Sequence, residues 1–250
     1  MSSLQKGLDI LRLLADPPFS YTLSEMASAT GMGKSGLYKI LSSLREKNFV
    51  VQENSSKKYH LGPIVLRMGN VYSRLIGIED LAEPVLSHLC QILGETVYIS
   101  IWEGDRAYPA CKKCRPGGIY DANDFIGKSV PINAGASAKL LAAYQDRDRI
   151  RKLLDESDLK PVTHYTVTSI SEILEEYEVI RSQGYAVEDQ SFSLGEWCLS
   201  VPIFDKNGEV HCALSVGAPR ETISDDLIPM WLQRLKDGAD EIGMQMQLRR

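Results

Sequence analysis

A chain of 250 residues with a formal net charge of −5 is long enough for two domains, each with its own core. Five cysteines, an odd number in a chain of this size, argue against the disulfide framework of a small secreted domain. The sequence has no run of 18 apolar residues and no charged-then-apolar leader, so the expectation is a cytoplasmic protein with reduced thiols and no membrane partner.

Residues Gly7 to Ala15 place Leu8, Leu11 and Leu14 at helical spacing and are stopped by Asp16-Pro17-Pro18. Thr22-Leu-Ser-Glu25 is a capping box, which satisfies orphan amides at a helix start. Gly31 and Gly33 then give the permissive backbone of a sharp turn. From Lys34 to Lys47 a second helix buries Leu37, Ile40, Leu41 and Leu44 as one stripe. Its opposite face carries Ser35, Tyr38, Lys39, Ser42 and Arg45, with no carboxylate until Glu46.

An ordinary helical hairpin packed on a core gives the same two-helix pattern. The flanks favour a more specific reading. Phe49-Val50-Val51 and Tyr59-His60-Leu61 enclose a polar tip with Lys57 and Lys58, a β-hairpin of the size of a wing. Residues 1–62 therefore read as a winged helix-turn-helix. Ser35, Tyr38 and Lys39 are its candidates for base edges, and Arg45, Lys57 and Lys58 for phosphate. Charge agrees: residues 1–62 hold eight Lys+Arg against five Asp+Glu, or +3, and the remainder 20 against 28, or −8. Only the basic head is suited to duplex DNA, and so modest a charge favours doubling through a homodimer.

Residues 63–77 read as a linker helix with Ile64, Met68, Val71 and Leu75 near one face. So apolar a helix packs either on a partner's helix or on its own domain. From residue 78 to 250 the pattern alternates. Asp80 to Leu93 is an amphipathic helix, Thr96 to Trp102 and Ala107 to Lys113 are strands, and Asn133 to Ala138 is a small-residue run opening the helix Lys139 to Tyr144. A short helix over Arg149 to Asp155 follows, then Ser169-Ile-Ser-Glu172, a second capping box, starting a helix that ends at Gly184. Tyr185 to Glu188, Trp197 to Phe204 and Val210 to Gly217 are strands, the last two joined by the turn Asp205-Lys-Asn-Gly208, and Asp226 to Met246 is a closing helix. This order predicts an α+β sheet covered by helices.

Two motifs are decoys. Gly127-Lys128-Ser129 resembles the end of a phosphate loop, but Val130-Pro131 continues extended where a helix is required. Cys111-Lys-Lys-Cys114 is half a zinc site, which His164, Cys198, His211 and Cys212 could join only through the fold; a redox pair is a second account, and two thiols at the solvent edge is the favoured one. No zincin motif, nucleophile elbow or dinucleotide fingerprint occurs, so no catalytic residue, metal or cofactor is expected.

The order of parts resembles the IclR family of bacterial transcription regulators over nearly the whole chain. In the head the matching pieces are Leu4-Gln-Lys-Gly-Leu-Asp-Ile-Leu, Leu23-Ser-Glu-Met-Ala, Lys34-Ser-Gly-Leu-Tyr-Lys-Ile-Leu and Tyr59-His-Leu-Gly. In the body they are Gly94-Glu-Thr-Val, the run from Gly127 to Lys139, Gly184-Tyr-Ala-Val-Glu-Asp, Cys198-Leu-Ser-Val-Pro-Ile-Phe-Asp and Ala213-Leu-Ser-Val-Gly. The resemblance implies a winged helix-turn-helix joined by a linker helix to a GAF-like α/β effector domain with an antiparallel sheet. It also implies a homodimer or dimer of dimers and a small-molecule carboxylate effector. Family pocket positions fall on Ile119, Ala122, Ala136, Ser137, Glu188, Cys198, Ser215 and Gly217. The family often has Gly where Ala138 stands and Ser where Gly217 stands. Glu196-Trp197 replaces a commonly apolar-then-Arg pair.

Read without the family, Asn133 to Ala138 admits two accounts: an anion site at a helix start, or close helix-on-sheet packing. Cys198 is a core residue or a ligand contact, and Glu188 a solvated loop acid or a pocket acid. In the pocket it would call for an effector carrying a hydroxyl or amine as well as its acid. Two rival functions stay open: an enzyme domain fused to a DNA-binding head, and a C-terminal domain that serves only assembly.

Overall fold

The computed structural model describes residues 2–117 and 125–248, which fall into two compact units, Met1–Ile76 and Gly77–Arg250. In the first unit α1 (Ser3–Leu14), α2 (Leu23–Thr30) and α3 (Lys34–Glu46) precede β1 (Val50–Gln52), β2 (Tyr59–Leu61) and α4 (Pro63–Ile76). Helix α1 begins four residues before the Gly7 read from the sequence. Ser2 and Gln5 form a capping box there, which apolar periodicity does not reveal. The Thr22 box closes as expected: the Glu25 amide donates to Thr22 Oγ1 at 3.3 Å and the Thr22 amide to Glu25 Oε2 at 2.7 Å. Gly31 ends α2 at φ +68°, a left-handed conformation that glycine adopts without strain.

Ile10, Leu14, Met26, Leu37, Leu41, Val50 and Tyr59 form the core of this unit, with Ile40 and Leu44 packed against it from the α3 stripe. Strands β1 and β2 pair antiparallel, and Tyr21 bridges to Tyr59, which pins the hairpin to the start of α2. Helix α4 buries none of its residues.

The second unit runs α5 (Ile78–Leu93), β3 (Thr96–Glu103), β4 (Arg106–Lys113), α6 (Ala136–Ala143), α7 (Arg147–Glu156), α8 (Ile170–Gln183), β5 (Ala186–Asp189), β6 (Glu196–Phe204), β7 (Val210–Pro219) and α9 (Leu227–Leu248). Its five strands are antiparallel in the order β4-β3-β7-β6-β5. Helices α5 and α9 pack together and against the sheet, and α6, carrying α8 and α7, packs on it as well. Cover on both faces explains why β3, β6 and β7 are buried residue after residue rather than alternately. A Cβ on Gly238 of α9 would stand 2.9 Å from the side chains of Val85 and Leu89, so glycine permits the close approach to α5.

One expected cap differs. Ser169 is the N-cap of α8, but its hydroxyl lies 3.0 Å from that of Ser171 and makes no capping bond. A second hydroxyl two residues on offers the first an alternative partner.

Candidate functional site

The polar face of α3 is open. Ser35, Tyr38, Lys39 and Arg45 are exposed while Leu37 and Leu41, between them in sequence, are buried. On the hairpin Lys57 is exposed and Lys58 half-buried. Lys57 sits at φ +58° at the tip. Arg45 Nη1 donates to Gln52 Oε1 at 3.2 Å, and Gln52 Nε2 donates to the Lys57 carbonyl at 3.1 Å. The end of α3 and the hairpin are thus held as one surface bearing hydroxyls, a phenol and cations.

In the second unit the register of the sheet assembles a cavity. Glu188 on β5 pairs with Cys198 on β6, Cys198 with Gly217 on β7, and Gly217 with Thr96 on β3. Directly opposed residues share a face, so four elements distant in sequence present one row. The next row holds Ser200, Ser215 and Tyr98.

The first turn of α6 lies over these rows. Ser100 Oγ donates to Ser137 Oγ at 3.0 Å, and Ala136 packs with Cys198, Cys114 and Phe125. A cavity of about 230 Å³ remains, lined by Tyr98, Pro109, Phe125, Lys128, Ser129, Val130, Gly135, Ala136, Ser137, Glu188, Phe192, Ser193, Glu196 and Cys198.

The start of α6 is suited to an anion. Gly135 is the N-cap and supplies no side-chain cap, and the first turn contains no acid. The opening amides of a helix carry partial positive charge and point away from its body. Ala136 and Ser137 are buried, so a ligand oxygen meeting those amides would do so largely shielded from water. The helix is held firmly. Asn133 Nδ2 donates to the Val167 carbonyl at 2.9 Å, Tyr177 Oη to the Ile132 carbonyl at 2.7 Å, and Lys139 pairs with Glu176 at 2.6 Å. At its far end Arg181 Nε donates to the Ala143 carbonyl at 2.8 Å.

Glu188 is 1% exposed. Its Oε1 accepts from the Phe192 amide at 2.8 Å and from Ser191 Oγ at 3.3 Å. Burial raises its pKa above the ordinary carboxylate value, against the Phe192 amide, the field of Lys139 and the hydroxyl and amide of Ser191. Tyr98 is raised well above the ordinary tyrosine value, first by burial and then by Cys198 beside it. Phe125 meets Tyr98 edge-on at 5.3 Å.

Of the eight expected pocket positions, Ala136, Ser137, Glu188 and Cys198 line this cavity. Ser215 is fully buried, and its hydroxyl lies 2.5 Å from that of Ser200. Gly217 occupies the Glu188–Cys198 row without lining the cavity. Ile119 and Ala122 lie outside the described residues. Tyr98, Phe125, Lys128 and Phe192 line the cavity and were not expected from sequence. The matched Leu199-Ser-Val and Leu214-Ser-Val motifs could have betrayed the Ser200–Ser215 pair.

A larger cleft of about 560 Å³ beside α7 is bordered by Asp105, Glu156 and Asp158 against Arg106, a poor setting for an anion. Cys111 and Cys114 do not converge. Cys111 is near Glu79 and Glu83 of α5 and Cys212 of β7, whereas Cys114, one residue beyond β4, is near Cys90 of α5 and packs with Ala136 and Cys198. Cys111 is buried rather than at the solvent edge, since β4 is covered by α5, and burial pushes its thiol up to about 12. Among the described residues Asp205, Glu209 and His211 could group around a metal, but Asp205 Oδ1 already accepts the amides of Asn207 and Glu209 in the β6–β7 turn. No helix of the described residues is long and apolar enough to cross a membrane.

Comparison with known proteins gives the same two parts. Residues 3–54 match the IclR helix-turn-helix domain, and residues 71–244 match the C-terminal domain of the bacterial transcriptional regulator IclR. The regulator KipR of Bacillus subtilis is 28% identical over 240 residues, covering 95% of this chain and 94% of its own. The crystal structure of the Thermotoga maritima IclR protein is 29% identical with a TM-score of 0.77, covering 98% of each chain. An IclR homologue from Microbacterium hydrocarbonoxydans, solved in complex with 4-hydroxybenzoate, has the same fold with a TM-score of 0.81 at 17% identity, covering 98% of this chain and 99% of its own.

Proposed function

The chain belongs to the IclR family of bacterial transcriptional regulators, a DNA-binding regulator with a ligand-binding C-terminal domain, and from that premise we propose how its parts divide the work. Residues 1–62 bind duplex DNA, residues 63–77 link, and residues 78–250 bind a small carboxylate effector and mediate assembly. Ser35, Tyr38 and Lys39 read base edges in the major groove, while Arg45, Lys57 and Lys58 hold phosphates. The effector's carboxylate rests on the opening amides of α6, between Ser137 and the Glu188–Cys198 row.

The observation that carries the effector reading is a helix start with no side-chain cap and no acid, buried at the edge of a closed-in cavity. The relative that holds 4-hydroxybenzoate supports the same chemical class. Helix α4 supports assembly as a homodimer: Leu66, Met68, Val71, Tyr72 and Leu75 are all exposed, an apolar surface fit for a second copy's helix. A dimer of dimers is compatible with the same arrangement.

Regulation is linkage. Effector binding favours one arrangement of the C-terminal domains, and α4 passes that preference to the spacing of two heads on a pseudo-palindromic operator. Coupling of about 1–3 kcal/mol is sufficient. A thermal-shift screen of small organic acids on the full chain tests the reading, because a binder raises the melting temperature by mass action. A hit that also changes operator affinity in a gel shift is the expected result. A hit that leaves the operator complex unmoved would mean the domain serves another purpose, and turnover of a hit would favour an enzyme domain.

A further inference from the structure

The cavity holds a second polar group that can take a further bond. Glu188 is a buried acid whose Oε1 accepts from Ser191 Oγ and the Phe192 amide, and the Ser191 amide is a further donor to its carboxylate. Its carboxylate also lines the cavity, where a ligand's donor can reach it. An ionised carboxylate offers about four acceptor sites, so it can take a ligand's donor besides those it already has.

The acid also lies close to the α6 start. Ser191 Oγ, which bonds Glu188 Oε1 at 3.3 Å, donates to the carbonyl of Ala134 at 2.8 Å, two residues before Ala136. Cys198 pairs with Glu188 across the strands and packs against Ala136. An acceptor and a set of amide donors thus stand within one small molecule's reach. The remaining walls are Tyr98, Pro109, Phe125 and Phe192, which suit an apolar body. A volume of about 230 Å³ falls below the ~300–1,000 Å³ typical of drug-sized sites, so that body is small.

We propose that the effector is a carboxylate with a hydroxyl or amino group on the adjacent carbon, its acid on the α6 amides and its donor on the Glu188 carboxylate. Glu188 is then the residue that sets specificity, rejecting plain carboxylates by leaving their match incomplete. The raised pKa of Glu188 agrees, since a donor supplied by the ligand would stabilise the ionised form that burial disfavours. Glu196 adds a second acid to the lining against Lys128, a balance that welcomes an ammonium more readily than a second carboxylate. The inference rests on the effector reading of this cavity.

Three matched probes test it on the full chain by calorimetry: 3-phenylpropanoate, 3-phenyllactate and phenylalanine. At least one of the last two should bind tenfold or more tighter than the first. Glu188→Ala should bring the three affinities within about twofold of one another. Glu188→Gln, which keeps an acceptor but no charge, should preserve a preference for the hydroxyl and abolish one for the ammonium. Those two variants separate the two donors, and circular dichroism melts confirm that each is folded. Equal binding of the three probes by the unaltered chain overturns this inference and leaves the effector reading standing. Failure of all three to bind overturns both.

Discussion

Arg45 and Gln52 are joined across the gap between the end of α3 and the hairpin, Nη1 to Oε1 at 3.2 Å. Gln52 continues the chain of bonds to the carbonyl of Lys57 at the tip. Arg45 therefore serves as a strut as well as a cation, and the position of Lys57 depends on it. The two contributions can be separated. Lys57→Ala removes the proposed phosphate contact, so it should weaken all duplexes about equally and reduce the salt slope of log K by about 1. Gln52→Leu removes no charge but frees the tip, so affinity should fall with the slope unchanged. Fluorescence anisotropy across a salt series distinguishes them.

Tyr38 is 51% exposed on α3, beside the buried stripe of Leu37 and Leu41. A phenol held there by that stripe can meet a base edge. Tyr38→Ala should change which operator sequence is preferred, with little effect on nonspecific affinity or on melting temperature. Selection from a randomised duplex pool reads this directly. A pool that returns the same consensus for both proteins would show that the reading face was wrongly assigned.

The head was legible because its information is local. The Thr22 box, the Gly31 break and the Leu37–Leu44 stripe each lie within a dozen residues, and each reappears in the structure. The cavity was not, because it depends on strand register. Tyr98, Glu188 and Cys198 meet only after β3, β5 and β6 pair through β7, and nothing near Tyr98 announces that. Family positions supplied Glu188 and Cys198 in place of that missing register. Ser215 stands between Leu214 and Val216, and strand alternation turns its hydroxyl to the face opposite theirs, but there that hydroxyl is taken by Ser200.

Gly135 is a point where a single methyl group should matter. A Cβ there would stand 2.3 Å from Val130 Cγ1, and Val130 is held by its amide bond to the Ala107 carbonyl at 3.0 Å. Gly135→Ala should cost about 1–3 kcal/mol by overpacking. Both residues line the cavity, so effector affinity should fall as well. Adding Val130→Ala should recover much of each loss, since it removes the clashing methyl. A double-mutant cycle on stability and on binding measures the coupling, and simple additivity of the two losses would count against a steric cause.

Glu188 also predicts a dependence of stability on pH. Burial lifts its folded pKa above the ordinary carboxylate value of 4.5, so between those two pKa values the folded state binds more protons than the unfolded state. Stability then falls as pH rises through that window, because ionising a buried carboxyl costs more than ionising an exposed one. The change is complete once pH exceeds the folded pKa. Glu188→Gln removes this contribution, so the unaltered chain should lose melting temperature relative to the variant on passing from acid toward neutral pH. Titrations of other groups are common to both proteins and cancel in the difference. Paired thermal melts from pH 4.5 upward, without effector, provide the measurement. A difference that stays constant across the series, or that moves in favour of the unaltered chain as pH rises, would mean that Glu188 is ionised at no cost where it lies.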